Sequence, residues 1–251
     1  MSNHSQAQKI PVPIANSEFH ELTSSLVGQK YSIKVRLPEK YDETTETYPV
    51  VYLLDGDHAF AMATDIVQYL IYGGHVPDLI IVSPAYGSKN TPEFGGTNMR
   101  NRDLMPFPAE WLKIPPGGAI YLQFLERELM PFVTSNYRVD VSDRTLAGYS
   151  LGSLFVLYAL FQKPGLFNRL IAIDGIDDSI LVMEAAFRAA HSTLPGRLFV
   201  SSGEDDMSGF ADKMAQQGYS GFTVEHAKLN SIGHFAVGAE GLTKGLVSVF
   251  R

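Results

Sequence analysis

The strongest constraint in this sequence is a series of short, nearly unbroken apolar runs, separated by longer stretches with helical spacing. Tyr48–Leu54 (YPVVYLL) and Asp78–Val82 (DLIIV) show almost no polar alternation, the pattern of strands covered on both faces. Arg144–Gly148 (RTLAG), Leu170–Ile173 (LIAI) and Arg197–Val200 (RLFV) repeat it. Tyr31–Leu37 (YSIKVRL) alternates instead and predicts a half-buried strand, and Phe222–Leu229 predicts a last one. Between them the spacing predicts helices over about 60–71, 120–134, 151–161, 180–191 and 235–250. Strands that alternate with helices need crossover connections. The expected class is therefore α/β, with a mostly parallel central sheet flanked by helices on both faces.

Two segments fall outside this rhythm. Residues 1–17 carry two prolines and no period, and are expected to form a tail or an arm. Residues 87–118 are rich in Pro, Gly and Asn, yet hold Phe94, Arg100, Arg102, Phe107 and the only tryptophan, Trp111. A loop of that length in a compact domain usually serves function. It is expected to be cap-like, within one domain spanning residues 18–251.

Composition removes several classes. The net charge of −7 disfavours a nucleic-acid binder, because neutralising phosphates needs clustered Lys and Arg. No apolar run approaches the length of a membrane span. The absence of cysteine excludes disulfides, thiolate metal sites and cysteine nucleophiles. With the polar N-terminus, it leads us to expect a cytoplasmic protein. There is no P-loop, dinucleotide fingerprint, HExxH or EF-hand pattern, and Asp55, Asp57 and His58 match no metal-ligand spacing. No cofactor or metal is expected.

One motif carries chemistry. Gly148-Tyr149-Ser150-Leu151-Gly152 is G-x-S-x-G. It follows a short buried strand and precedes an apolar helix, the setting of a nucleophile elbow. The glycines make room for a tight turn, and the helix start turns its N–H groups toward a developing oxyanion. A helix N-cap serine is the bland alternative. A serine nucleophile needs a base, and the base an orienting acid, expected in the chain order serine, acid, histidine.

Of the histidines after Ser150, His191 ends a helix and His226 lies in a strand, whereas His234 lies in the loop between the last strand and the last helix. His234 is the expected base. For the acid, the segment after Arg197–Ser201 offers Glu204, Asp205 and Asp206. Asp206 is the first choice and Glu204 the second; Asp174, Asp177 and Asp178 stand outside. The amides of Leu151 and Asp57, the latter after Leu54-Asp55-Gly56, are the expected oxyanion donors. Substrate contacts are expected from Tyr149, Arg102 and Trp111, with Tyr86, Phe94, Phe107 and Arg100 as further candidates. An ion pair with Asp103 is the competing role for Arg102.

Together, the residues resemble the putative-esterase (esterase D-like) family of α/β-hydrolases. The resemblance rests on Val50–Gly56, Arg102–Pro106, Phe124-Leu125, Glu128–Pro131, Tyr137–Asp140, Arg144, Ala147–Gly152 and Gly233-His234. It implies an α/β-hydrolase fold and a serine esterase acting on a small-molecule ester, with short-chain or aryl esters as the first expectation and siderophore lactones or feruloyl-type esters as the alternative. It carries the roles of nucleophile, acid and base to Ser150, Asp206 and His234, and the oxyanion hole to Asp57 and Leu151. Families of this kind act on feruloyl esters, S-formylglutathione, siderophore lactones and short-chain esters, and mycolyltransferases are relatives. The resemblance leans toward the siderophore-esterase-like branch. Two features depart from it: Ser153 stands where many members have glycine, and three carboxylates crowd the acid loop. An acyltransferase using the same residues and a non-catalytic binding protein are the alternatives. A homodimer through the N-terminal arm is left open.

Overall fold

The computed structural model describes residues 11–86, 99–229 and 233–251. Eight strands form one sheet: β1 (Ser17–Ser24), β2 (Gln29–Arg36), β3 (Tyr48–Leu53), β4 (Ile80–Ala85), β5 (Val139–Tyr149), β6 (Arg169–Ile173), β7 (Thr193–Ser202) and β8 (Ser220–Lys228). Their spatial order is β1-β2-β4-β3-β5-β6-β7-β8. The β1–β2 and β2–β4 pairs are antiparallel, and every pair from β4–β3 to β7–β8 is parallel.

The apolar runs produce this arrangement because successive residues face opposite cores. Val50, Tyr52, Ile80, Val82, Leu146, Leu170 and Val200 point to one side. There they meet α3 (Gly118–Phe124), α4 (Met130–Asn136), α5 (Leu151–Gln162), α6 (Asp178–Ala190) and α7 (Ser208–Gln217). Val51, Leu53, Ile81, Ala147, Ile171, Ile173 and Phe199 point to the other, against α1 (Phe60–Tyr72) and α8 (Val237–Phe250). A π-turn over Leu125–Leu129 joins α3 to α4. Helix α5 is buried from Gly152 to Phe161, as a helix apolar on every side should be.

Helix α8 lies unusually close to the sheet. A Cβ added at Gly241 would stand 2.5 Å from Ile173 Cγ2, and one at Gly245 2.5 Å from Ile171 Cγ2. Only glycine permits that approach.

Two elements go beyond the sequence reading. Strand β1 begins where the arm was expected to end, and its polar, largely exposed residues gave no apolar run to detect. Helix α2 (Met99–Leu104) lies inside the expected cap-like loop. Phe94 and the rest of 87–98 lie outside the described residues, as does most of the expected arm. Among the described residues no helix is long and apolar enough to cross a membrane.

Candidate active site

The parallel strands deliver their C-terminal ends to one edge of the sheet, and the chemistry-bearing residues follow those ends. Ser150 joins β5 directly to α5 with φ +58° and ψ −121°, a conformation that non-glycine residues adopt rarely and at a cost. Its amide donates to the Ile173 carbonyl at 2.8 Å, tying the turn to the end of β6. The flanking glycine is obligatory: a Cβ on Gly148 would sit 2.4 Å from the Gly152 carbonyl oxygen. Leu151 opens α5, so its N–H belongs to the first turn, where no carbonyl four residues back lies in the helix.

His234 lies at the start of a short 3-10 turn (His234–Ala236) just before α8. Its Nε2 is 2.9 Å from Ser150 Oγ and its Nδ1 is 2.7 Å from Asp174 Oδ2. An ionised carboxylate can only accept, so Nδ1 carries the proton and Nε2 is left to accept from the serine hydroxyl.

Here the expectation of Asp206 is corrected. Asp206 is exposed, and its Oδ1 accepts the Ser208 amide at the start of α7; the Ser208 hydroxyl and amide hold its carboxyl below the usual carboxylate range. The residue that meets His234 is Asp174, immediately after β6 and fully buried. Asp174 Oδ1 accepts the amides of Gly203 and Asp205 at 2.6 and 3.0 Å. Thus the loop after β7 meets Asp174 through its backbone, with the amides of Gly203 and Asp205. Glu204 takes part differently, its Oε1 accepting the His234 amide at 3.0 Å. The Asp205 carboxyl is raised first by burial and then by the charge of Asp174. Asp177 caps α6 through the Ser179 amide.

Asp174 carries a sequence signal of its own. Ile173-Asp174-Gly175 repeats Leu54-Asp55-Gly56, and in both places an aspartate at a strand end takes positive φ, +50° and +62°.

Of the expected substrate contacts, Tyr149 stands nearest the reacting groups. Its ring lies 4.9 Å from the His234 ring, and its hydroxyl donates to the His234 carbonyl at 2.5 Å. Burial, and then the charge of Asp174, push this hydroxyl up to about 12. In the unfolded chain it titrates near its ordinary 10.0. Its contribution to stability is therefore complete below pH 10 and lost as pH rises through about 12. Urea denaturation should show a constant stability gap between the wild type and Tyr149→Phe below pH 10, closing above it.

Arg102 is committed elsewhere: its Nε donates to Asp103 at 2.7 Å and its Nη2 to Gln29 at 2.9 Å. Asp103 is fully buried and also accepts from Tyr31. A buried carboxylate needs such compensation, which accounts for the arginine. Tyr86 is buried and Phe107 packs edge-on against Tyr158 at 5.9 Å, so both join the core. Trp111 is 52% exposed. The loop that carries Asp57 is pinned on both sides: Gly56 N–H donates to the Pro84 carbonyl at 3.1 Å, and Asp57 Oδ2 accepts the Tyr86 amide at 2.7 Å.

A serine at a positive-φ strand-to-helix turn, met by a buried aspartate after the adjacent strand β6 and a histidine after the last strand β8, on this strand order, defines an α/β-hydrolase fold. Within that class the chain belongs to the family described as Putative esterase, whose model matches residues 24–194. It is similar to a siderophore triacetylfusarinine C esterase of Aspergillus fumigatus, 31% identical over 168 residues, covering 64% of this chain and 56% of that protein. It is similar as well to the ferri-bacillibactin esterase BesA of Bacillus subtilis, 30% identical over 174 residues, covering 63% and 58%. The chain thus spans somewhat more than half the length of these curated relatives. Among solved structures, the BES protein from Bacillus cereus superposes with a TM-score of 0.85 at 22% identity, covering 99% of this chain and 100% of that one. The siderophore hydrolase EstB from Aspergillus nidulans gives 0.80 at 23% identity, covering 96% and 98%.

Proposed function

We propose that the protein is a serine esterase that hydrolyses carboxylic esters of the siderophore class, with Ser150 as nucleophile, His234 as base and Asp174 as orienting acid. The observation that carries this reading is the unbroken chain from Ser150 Oγ through His234 to Asp174, at 2.9 and 2.7 Å. The names of the two curated relatives support the substrate class.

His234 Nε2 takes the hydroxyl proton as Ser150 Oγ attacks the ester carbonyl. Asp174 holds the ring in the competent tautomer and stabilises the imidazolium. The amides of Leu151 and Asp57 receive the oxyanion, each such donor typically being worth about 2.7–4 kcal/mol. The intermediate collapses, the alcohol leaves with the proton from His234, and Ser150 retains the acyl group. Water, deprotonated by the same histidine, then releases the acid.

The test is hydrolysis of p-nitrophenyl acetate, butyrate and octanoate alongside triacetylfusarinine C and bacillibactin in their ferric forms. Cleavage of a ferric siderophore with kcat/KM at least about tenfold above the best p-nitrophenyl ester is expected. Turnover of the simple esters alone would retain the esterase and remove the siderophore. Inertness toward all of them, in folded protein, would overturn the reading.

A further inference from the structure

A second buried charge pair stands beside the site, outside the proton path. Arg100, on α2, grips Asp55 with two parallel hydrogen bonds, Nε to Oδ1 and Nη2 to Oδ2, the latter at 2.8 Å. Both side chains are largely buried, 23% and 11% exposed. Burying such a pair adds little to stability on its own, since desolvation offsets the attraction. Its position is more informative. Asp55 follows β3 with φ +62°, and its carbonyl accepts the amides of His58 and Ala59 at 3.0 and 2.9 Å. Its carboxylate lies against the first turn of α5: a Cβ placed on Gly152 would be 3.5 Å from Asp55 Oδ2. Gly152 is two residues beyond Ser150. A formal negative charge therefore sits at the helix start toward which an oxyanion on a Ser150 adduct would develop, and like charges there would oppose each other.

We propose that Arg100 is a positioning residue for the reaction. By holding and neutralising Asp55, it leaves the partial positive charge of the α5 N-terminus available to the oxyanion. Arg100 acts through Asp55, and no contact with substrate is required. This inference rests on the esterase reading above.

The effect belongs to the charged transition state and not to substrate binding, so it appears in kcat more than in KM. With p-nitrophenyl butyrate and the full chain, Arg100→Gln should lower kcat about 100-fold, comparable with losing one oxyanion donor, with KM changed less than about threefold. Arg100→Lys, which keeps the charge but not the fork, should fall between. The decisive variant is Asp55→Asn/Arg100→Gln. Removing the stranded carboxylate should return about tenfold or more of the lost kcat, a rescue that a purely structural role would not show. The rate at which a fluorophosphonate labels Ser150 should follow the same order.

A wild-type kcat in Arg100→Gln would overturn the proposal, as would a double variant no better than the single one, or a change confined to KM. If Arg100→Gln does not fold, Asp55→Asn alone decides. It should retain kcat within about threefold, and a loss of about 100-fold would show that the charge of Asp55 is needed rather than opposed. Ser150→Ala separates the two levels. If it is as active as wild type, or if the wild type neither turns over nor labels, the esterase reading falls and takes this inference with it. If Ser150→Ala is dead while the Arg100 variants are unaffected, only the inference falls.

Discussion

Ser150→Ala is expected to lower ester turnover by about three orders of magnitude or more while leaving the protein folded. Alanine keeps the Cβ, so the turn keeps its φ of +58° and its amide bond to the Ile173 carbonyl. What disappears is the oxygen 2.9 Å from His234. The companion variant Ser150→Gly separates chemistry from strain. Glycine adopts this backbone without penalty, so Ser150→Gly should be as inactive as the alanine variant yet more stable than it by up to about 1 kcal/mol. Urea midpoints for both proteins, read beside their p-nitrophenyl butyrate turnover, check this. A Ser150→Ala protein that keeps wild-type turnover would remove the serine from the reaction.

The second large effect lies at Asp174. Asp174→Asn is expected to reduce kcat by about 10²–10⁴-fold. An amide nitrogen facing His234 Nδ1 would donate where the carboxylate accepted, driving the ring proton to Nε2 and leaving nothing to take the serine proton. Its oxygen can still accept the Gly203 and Asp205 amides, so this variant should fold. Asp174→Ala strands both amides and should also lose about 2–5 kcal/mol of stability in urea denaturation. Asp206→Asn provides the contrast, with turnover within about twofold of wild type, because Asp206 is exposed and its carboxylate is bonded to the start of α7. The reverse pattern, a dead Asp206→Asn beside an active Asp174→Asn, would return the acid to the loop after β7.

These two residues show how far sequence reading reaches. The sheet was legible because Val50–Leu54, Leu170–Ile173 and Arg197–Val200 must be buried on both faces, a demand written into consecutive apolar side chains. Ser150 was legible because its turn needs glycines at fixed spacing, and His234 because few histidines follow the serine. The acid was harder, since any carboxylate at the right edge satisfies the local pattern. Which of them stands beside His234 is set by tertiary distance, and in the structure it is Asp174. Glu204, Asp205 and Asp206 masked Asp174 by number alone. Strand β1 escaped because an exposed edge has no apolar period, and of the two roles the sequence leaves to Arg102, the structure shows the ion pair with buried Asp103.

Helix α8 carries a consequence for inactivation by heat. Site loops often fray ahead of the rest of a domain, and His234 stands just before α8. Yet the helix that follows it is pressed onto β6 and β7 through Gly241 and Gly245, with Ile171, Ile173 and Phe199 filling the space their side chains would occupy. Amide protons along α8 should then exchange with solvent only through openings that also break the sheet. Activity and cooperative melting would disappear together, and an inactive but folded population on heating would be sparse.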